Sequence, residues 1–356
     1  MGQPIKVLLV SVKSTQSHGG IAVWTRHYEN GSAAQGIESE LVNIEMIGTR
    51  ATDGTAKRSF ADEARRTKRI FAEMNKLLSD PAKSFHVAHL NTSCGTFGLF
   101  RDYLIAGRIH RKGIPVVTQF HRDVPAAMHS RVSRFFLKKL IKVSDRLLVL
   151  CENSKQYLAR QFHADSIKVP NFIDASMVRE EEKKINPELK KAVFVGRVQQ
   201  TKGAFELYEA AKRLPDIQFE LIGKPSEEIL RLDVPENVRL LGGMPHEQVL
   251  EHLDDADIFV FPTYSEGFSM ALMESMARGL PSVATDVGAN KDMLDGGCGA
   301  VIPAKDVDAL VEGIESLRPM ELRASMSKNS AQKVQSQYTV DAVMQTIRDI
   351  YNEILQ

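Results

Sequence analysis

Short apolar runs alternate with longer amphipathic stretches along most of the chain, and this alternation constrains the fold more than any other feature. In the first half, apolar runs lie at 7–10, 87–90, 115–118 and 146–150, with helical stretches at 20–28, 59–78, 98–111 and 130–142. Nearly continuous apolar runs of this length are typical of parallel strands buried on both faces. We therefore predict an α/β fold with a doubly wound parallel sheet.

A second alternation begins after residue 170. The segment 169–174 indicates an extended turn, and the charged stretch 179–184 indicates a linker. Further apolar runs follow at 192–196, 219–223, 238–242, 258–262 and 281–285, and most of them end in Gly or Pro. This pattern predicts two doubly wound, Rossmann-like domains, 1–170 and 171–339, that face each other across a cleft. Ligands of such sheets bind outside the carboxyl ends of the strands.

Composition narrows the classes of protein that remain. No stretch approaches the roughly 18–20 uncharged apolar residues that a membrane-spanning helix needs. The three cysteines are far apart and lack CxxC spacing, so neither a disulfide framework nor a zinc site is expected. We expect a cytoplasmic protein.

The net charge of +1 conceals a strong division of charge. Residues 1–170 hold 26 Lys and Arg against 14 Asp and Glu, a net charge of +12, and the remaining residues carry −11. A basic domain concentrates anionic surfaces or substrates near it. Attraction between the two domains is an equally good explanation. We expect no nucleic-acid partner.

The segment 261–281 carries the most chemical information. Pro262 closes a strand, Gly267 permits a tight turn, and residues 268–277 have helical composition. This places Glu266 just before a helix and Glu274 about two turns along it. The amides of the first helical turn would be free to bind a phosphate. They belong to Phe268, Ser269 and Met270.

Two carboxylates beside a phosphate would repel it, so their expected task is to accept hydrogen bonds from the hydroxyls of a ribose and a sugar. The alternative makes Glu266 a capping partner and Glu274 a solvated helix position. The strand, turn and helix around both residues favour the functional interpretation.

The loop 196–203 follows a buried strand directly. Gly196 and Gly203 permit close turns, and Arg197 and Lys202 sit on opposite sides of the loop. Fixed cations stabilise the negative charge that a leaving diphosphate gathers, so we predict a cationic clamp. The alternative is a surface loop with two solvated cations.

Two weaker signals lie in the first half. Gly19 and Gly20 open a helix after the first strand, where their amides could approach a phosphate or a sugar, or form a simple turn. His121 follows the strand 115–118. It could bind a sugar hydroxyl, steady positive charge at a reacting carbon, or be a structural hydrogen-bonding residue.

A basic amphipathic helix is predicted at 130–142. One stripe is apolar (Val132, Phe136, Leu140 and Val143) and another is basic (Arg131, Arg134, Lys138 and Lys142). This composition is typical of a helix on an anionic membrane surface, which makes such a surface a candidate partner. Alternatively, the apolar stripe packs against its own sheet.

At these residues the sequence resembles retaining glycosyltransferases of the GT4 family (glycosyltransferase group 1), which have the GT-B fold, over essentially its whole length. The segment 266–274 matches that family's E-x7-E motif, and 277–289 resembles its continuation. The loop 196–203 resembles the family's diphosphate site, and 169–174 resembles the entry to its second domain.

The resemblance implies specific roles. Glu274 would bind the ribose, Glu266 the donor sugar, Arg197 and Lys202 the diphosphate, and the Gly19–Gly20 loop the phosphate from the side of the first domain. His121 would be the family's cleft histidine near the donor sugar. A final helix, Val340–Leu355 within residues 340–356, would cross back onto the first domain.

The implied reaction is metal-independent transfer of a sugar, with retention, from a nucleotide-diphosphate sugar to a glycan or lipid-linked acceptor in cell-surface polysaccharide or glycolipid synthesis. No cofactor is expected beyond this co-substrate. The run 255–257 matches the DxD motif of metal-using transferases, but its position between a helix and a strand suits capping, so we assign no metal.

Two other functions stay open. A sugar-nucleotide epimerase of the same fold would bind the donor without transferring the sugar, but it needs carboxylates that move protons at the sugar ring. The second is a non-catalytic protein that only binds a nucleotide-sugar. Such a protein would tolerate loss of some of the charged residues 197, 202, 266 and 274, but all four are present.

Overall fold

The computed structural model describes residues 3–13, 20–45 and 60–356. The chain divides into two compact units: the first comprises Met1–Phe172 with Val340–Gln356, and the second comprises Ile173–Thr339. Within the described ranges, no helix combines the length and apolar character needed to cross a membrane.

The first unit is built on one six-stranded sheet. Its strands are β1 (Ile5–Ser11), β2 (Ile37–Asn43), β3 (Val87–Thr92), β4 (Val116–Phe120), β5 (Arg146–Val149) and β6 (Ile167–Lys168). The strand order is β2-β1-β3-β4-β5-β6, and all neighbouring strands are parallel. The predicted parallel sheet is confirmed.

Helices cover both faces of this sheet. They are α1 (Gly20–Ser32), α2 (Phe60–Ser79), α3 (Thr96–His110), α4 (Val124–Ala127), α5 (Arg131–Ile141) and α6 (Glu152–Phe162). Along β1, Val7 and Leu9 belong to the core that contains Trp24 and Tyr28 of α1, whereas Leu8 belongs to the core beneath α2, α3 and α5. Because successive residues of a strand point to opposite faces, a sheet covered on both sides requires the continuous apolar run.

The second unit repeats this plan. Its strands are β7 (Lys191–Val195), β8 (Gln218–Ile222), β9 (Val238–Gly242), β10 (Ile258–Phe261), β11 (Ser282–Thr285) and β12 (Gly299–Ile302). They are parallel in the order β12-β11-β10-β7-β8-β9. The helices are α7 (Ala204–Arg213), α8 (Glu227–Leu230), α9 (His246–Asp255), α10 (Met270–Ala277), α11 (Asn290–Leu294), α12 (Val307–Glu315) and α13 (Met320–Gln337).

The charged stretch 179–184 is not a free linker, because two of its side chains, Arg179 and Lys183, are held within the second unit. Arg179 Nη1 lies 3.0 Å from Asp254 Oδ1, and Lys183 Nζ donates to the carbonyl oxygen of Asp254 at 2.6 Å. These contacts place cations at the end of α9, where helix carbonyls attract positive charge. Burial lowers the pKa of Lys183 to about 8.

The last helix, α14 (Val340–Leu355), has the bounds that the sequence predicts. It packs against α1 so closely that a Cβ at Gly31 would lie 2.3 Å from Val340 Cγ1. Tyr351 reaches the centre of the first unit, where its hydroxyl lies 2.6 Å from His89 Nδ1 and 3.0 Å from the hydroxyl of Tyr28. The end of the chain is therefore part of the first unit's core.

Candidate functional site

The order of strands in the second sheet indicates where a ligand would bind. The sheet starts at its centre with β7, runs outward through β8 and β9, and then returns to place β10 on the other side of β7. Ligands of doubly wound sheets bind at this switch point, outside the carboxyl ends of the strands. The loops that follow β7 and β10 are 196–203 and 262–269, which are the two segments singled out in the sequence.

Glycine backbone holds these two loops together. Gly203 has a φ of +78°, and a Cβ there would lie 2.2 Å from the carbonyl oxygen of Pro262. The amide of Tyr264 also donates to the carbonyl of Thr201 at 3.0 Å. Only glycine permits this approach, so the contact fixes Lys202, the residue before Gly203, above the end of β10.

Lys202 and Glu266 form an ion pair at this point. Lys202 Nζ contacts Glu266 Oε1, and the hydroxyl of Thr263 donates to the same oxygen at 3.3 Å. Lys202 Nζ also lies 5.6 Å from the centre of the Phe261 ring. Both charged side chains are partly buried, so the pair is held more firmly than a pair on the open surface. The structure thus joins a predicted diphosphate residue to a predicted sugar residue.

Arg197, the other half of the predicted clamp, is exposed. It forms no ion pair with any residue in the ranges 3–13, 20–45 and 60–356. Lys202 is therefore neutralised by a protein carboxylate, whereas the exposed Arg197 can contact an external anion.

The helix after β10 begins two residues later than the sequence predicts. Ser269 is its N-cap, with a side chain that accepts from the amide of Leu272 at 3.2 Å, and the first helical residue is Met270. Serine is a favoured N-cap residue, so the helix starts after Ser269. The apolar composition of 268–277 did not indicate this start. Glu274 therefore lies about one turn along the helix, not two.

The residues just before α10 have packing roles. The ring of Phe268 is buried and makes an edge contact with Tyr338, with 5.5 Å between ring centres. The carbonyl of Gly267 accepts from the amide of Ala289 at 3.0 Å. Of the first helical turn, the amide of Leu272 is occupied by the side chain of Ser269, whereas the amides of Met270 and Ala271 precede the first intrahelical hydrogen bond. The predicted use of the amides of Phe268, Ser269 and Met270 for a phosphate stays a prediction.

Glu274 has a partner that the sequence did not indicate. His246 Nε2, at the start of α9, lies 3.3 Å from Glu274 Oε1. The carboxylate is largely buried and the imidazole is about half exposed. His246 and Glu274 are 28 residues apart in different elements, so no local pattern connects them. The only signal was position, since His246 follows the carboxyl end of β9.

The DxD-like run 255–257 lies at the opposite end of the strands, beside the amino end of β7. Asp257 accepts from the amides of Lys190 and Lys191, at 2.9 and 2.8 Å, and from the side-chain amide of Asn186 at 2.7 Å. Asp255 pairs with the side chain of Lys191, the first residue of β7. These carboxylates hold the amino end of β7 in place, whereas the switch-point loops lie at its carboxyl end.

In the first unit, His121 follows β4 and is held by the strand beside it. Its Nε2 lies 2.9 Å from Asn91 Oδ1, and the amide of Asn91 donates to Ser11 Oγ at 2.9 Å. Since Asn91 Oδ1 can only accept, His121 Nε2 donates and Nδ1 keeps a lone pair. Burial lowers the pKa of His121 to about 3, so the ring is neutral at physiological pH.

The other predicted residues of the first unit are only partly described. Gly20 is the first residue of α1 and is exposed. Gly19 lies outside the described residues. Asp123, two residues after His121, is buried and accepts from Ser154 Oγ at 2.9 Å and from the amide of Asn153 at 3.1 Å. It joins the loop after β4 to the start of α6.

The sequence is similar to those of known sugar transferases. The family model described as "Glycosyl transferases group 1" matches residues 178–333. The alpha-D-kanosaminyltransferase of Streptomyces kanamyceticus is 25% identical over 75% of this chain and 78% of its own length. The phosphatidyl-myo-inositol mannosyltransferase of Mycolicibacterium smegmatis is 23% identical over 67% of this chain and 65% of its own length.

A solved structure extends the likeness to the whole fold. The crystal structure of Anabaena HepE in complex with UDP-glucose aligns with a TM-score of 0.68, at 14% identity, over 98% of this chain and 100% of HepE. The matched residues 178–333 span most of the second unit, including all four of the residues 197, 202, 266 and 274. Residues 178–333 therefore match the group 1 glycosyltransferase model, within a chain that has a two-domain GT-B fold.

Proposed function

We propose that this protein transfers a sugar, with retention of anomeric configuration and without a metal ion, from a nucleotide-diphosphate sugar to a glycan or lipid-linked acceptor. The observation that carries the proposal is the Lys202–Glu266 pair at the switch point of the second sheet, close to the N-terminus of α10. The pair places a cation for phosphate and a hydrogen-bond acceptor for hydroxyls side by side.

Donor binding would exchange the partners of these residues. The diphosphate takes Lys202 from Glu266 and also engages Arg197 and the first amides of α10. Glu266 is then free to accept hydrogen bonds from the hydroxyls of the sugar, and Glu274 accepts from those of the ribose. Since Lys202 is already held in place, little side-chain freedom is lost when the donor binds.

The leaving diphosphate gathers negative charge as its bond to the sugar breaks. Arg197 and Lys202 stabilise that charge without reorganisation, because both sit on a loop fixed by Gly203. The acceptor oxygen bonds to the oxocarbenium-like carbon on the face that the diphosphate leaves, and its proton passes to the departing diphosphate oxygen, so the configuration is retained. These two cations would serve in place of a metal ion.

In the first unit, we propose that the acceptor binds and that the amides of Gly19 and Gly20 bind a phosphate. The neutral His121 keeps an Nδ1 lone pair, which suits a hydrogen bond from a sugar hydroxyl or a contact with positive charge at the reacting carbon. It does not suit proton donation at neutral pH. We place the reaction in the cytoplasm, in cell-surface polysaccharide or glycolipid synthesis.

A screen of nucleotide-sugars tests the proposal. A ligand that binds only the folded state raises the melting temperature by mass action, so the true donor should stabilise the protein and be hydrolysed slowly without acceptor. With an α-linked donor, NMR of the product should show an α-linkage, and a chelator should leave turnover unchanged. A β-linked product would refute retention, interconversion of the sugar without acceptor would indicate an epimerase, and stabilisation without any turnover would indicate a binding protein.

A further inference from the structure

Two neighbouring helices of the first unit expose large apolar side chains. Phe97 and Phe100 on α3 are 53% and 41% exposed, and Val132 and Phe135 on α5 are each 54% exposed. The ring of Phe136 connects the two helices, with its centre 5.0 Å from that of Phe100 and 5.3 Å from that of Phe135. We call these five residues the α3–α5 surface.

The structure divides the predicted apolar stripe of α5. Leu140 faces the core together with Ser133 and Leu137, whereas Val132 faces solvent beside Phe135. The hydroxyl of Ser130 accepts from the amide of Ser133 at 3.0 Å in a capping box, which fixes where the helix starts. Because its inward face is already filled, α5 has apolar side chains left over on its outward face.

The surroundings of these apolar residues are strongly basic. Residues 93–144 contain ten Lys and Arg but only two acidic residues, Asp102 and Asp123. Both carboxylates are buried, and Arg101 Nη2 lies 2.7 Å from Asp102 Oδ1. The positive charge that reaches solvent is therefore not offset locally. On α5 the exposed cations are Arg131, Arg134, Lys138 and Lys142.

Cations and apolar groups are interleaved on this surface. Lys139 Nζ lies 5.5 Å from the centre of the Phe135 ring, so an ammonium group sits directly beside an exposed aromatic ring. Protein interfaces are depleted in lysine at their apolar centres, which argues against a protein partner. Single-stranded nucleic acid stacks on aromatic rings, but the equally exposed Val132 offers no such platform.

An anionic lipid bilayer satisfies both features at once. Exposed Phe and Val side chains enter the boundary between headgroups and acyl chains, and Lys and Arg around them bind the anionic headgroups. We propose that the α3–α5 surface binds the first unit to membranes that contain anionic phospholipid. Binding of the α3–α5 surface to lipid does not depend on the proposed function. Only its role, which is access to a lipid-linked acceptor, rests on that function.

Cosedimentation of the full chain with vesicles tests the surface. We expect binding to vesicles of phosphatidylglycerol and phosphatidylcholine at low salt, and little binding to phosphatidylcholine alone. High salt should weaken it, because the headgroup attraction is screened. Equal binding to both kinds of vesicle would overturn the proposal.

Two double variants separate the contributions. Arg134→Glu with Lys138→Glu should weaken binding by about 25-fold or more, since each cation near the surface contributes roughly a factor of five. Phe100→Ser with Phe135→Ser should cause a loss of similar size without altering the charge. Binding that survives both double variants would refute the α3–α5 surface.

The chain offers matched controls for both variants. Lys68→Glu with Lys76→Glu makes the same change in charge on exposed residues of α2, and Leu230→Ser removes a side chain that is 62% exposed on α8. Both controls should bind vesicles as the unchanged protein does, and equal loss in a control would overturn the assignment. Turnover on a soluble acceptor should stay unchanged in the surface variants. If donor turnover fails while vesicle binding holds, the proposed function is wrong and the surface stands.

Discussion

The carboxyl edges of the two sheets use different chemistry. In the second unit the polar groups are partly exposed: Lys202 forms an ion pair with Glu266, and His246 Nε2 lies 3.3 Å from Glu274 Oε1. In the first unit they are neutral and buried: His121 donates to Asn91, and His89 lies between Tyr351 and Gln119, 2.6 Å and 3.0 Å away. Partly exposed ions can exchange partners for a ligand, whereas a buried neutral network mainly stabilises the fold. Changes at Lys202, Glu266 and Glu274 should therefore affect activity, and changes at the buried His89 should affect stability.

The largest expected effect is at Gly203, where a substitution should lower both stability and activity. Gly203→Ala should lower the free energy of unfolding by about 3 kcal/mol and abolish turnover, because the new Cβ collides with Pro262 and displaces Lys202. Gly113→Ala is the matched control, since Gly113 has a similar φ of +76° but no atom within 4 Å of the added Cβ. It should cost about 1 kcal/mol. Equal losses in denaturant melts would show that the contact with Pro262 has no importance.

The next largest effect, at Glu274, should change activity without changing stability. Glu274→Ala should lower kcat/KM by about 10- to 100-fold, the value of hydrogen bonds to a charged group, with little change in unfolding. Glu209→Ala is a suitable control, since this exposed glutamate pairs with Lys212 on α7 at 2.6 Å, away from the switch point. Steady-state rates decide the matter: unchanged turnover in Glu274→Ala would remove it from the site.

The prediction for the first unit concerns pH. Burial lowers the pKa of His89 to about 4, so below its unfolded value near 6.5 the unfolded chain binds a proton that the folded protein refuses. Stability should fall as the pH drops from about 6.5 towards 4, by about 1 kcal/mol per pH unit for this group. His89→Gln should reduce the slope of unfolding free energy against pH by about one proton. An identical slope in both proteins would contradict the assignment.

The smallest expected effect lies at His246, which would act only by positioning Glu274. His246→Ala should raise the KM for the donor by about two- to fivefold and leave kcat unchanged, because a polar contact to a half-exposed side chain contributes little. His110→Ala removes a comparably exposed imidazole that lies 3.5 Å from Asp145 Oδ2 in the first unit, and it should change neither constant. A fall in kcat for His246→Ala would indicate a larger role.

Local pattern predicts the parts of this molecule that are built locally. The continuous apolar runs of β1 and β10, the turn glycine Gly203 and the carboxylates Glu266 and Glu274 all lie within single strand-turn-helix segments, so their placement followed from short stretches of sequence. Strand β2 was missed because it lies at the edge of the sheet and alternates buried with exposed residues. The start of α10 was missed because the cap at Ser269 overrides apolar composition.

Contacts across long stretches of sequence could not be predicted. The bond from Tyr351 to His89 spans 262 residues, and the pair of His246 and Glu274 joins two helices of the second unit. Nothing in the residues around either partner indicates the other. The orientation of α5 also stayed open at the level of sequence, because helical periodicity gives the stripes but not which stripe meets the core.

The central claim is that the second unit's switch point holds the nucleotide diphosphate through Lys202. Calorimetric titration of UDP, or of the diphosphate that the screen selects, into Lys202→Ala and Lys212→Ala tests it directly, because both lysines pair with a glutamate in the same unit. We expect the Kd for the diphosphate to rise by about 30-fold or more in Lys202→Ala, since a partly buried charge contact is lost, and to be unchanged in Lys212→Ala. Equal affinity in the two variants would contradict it.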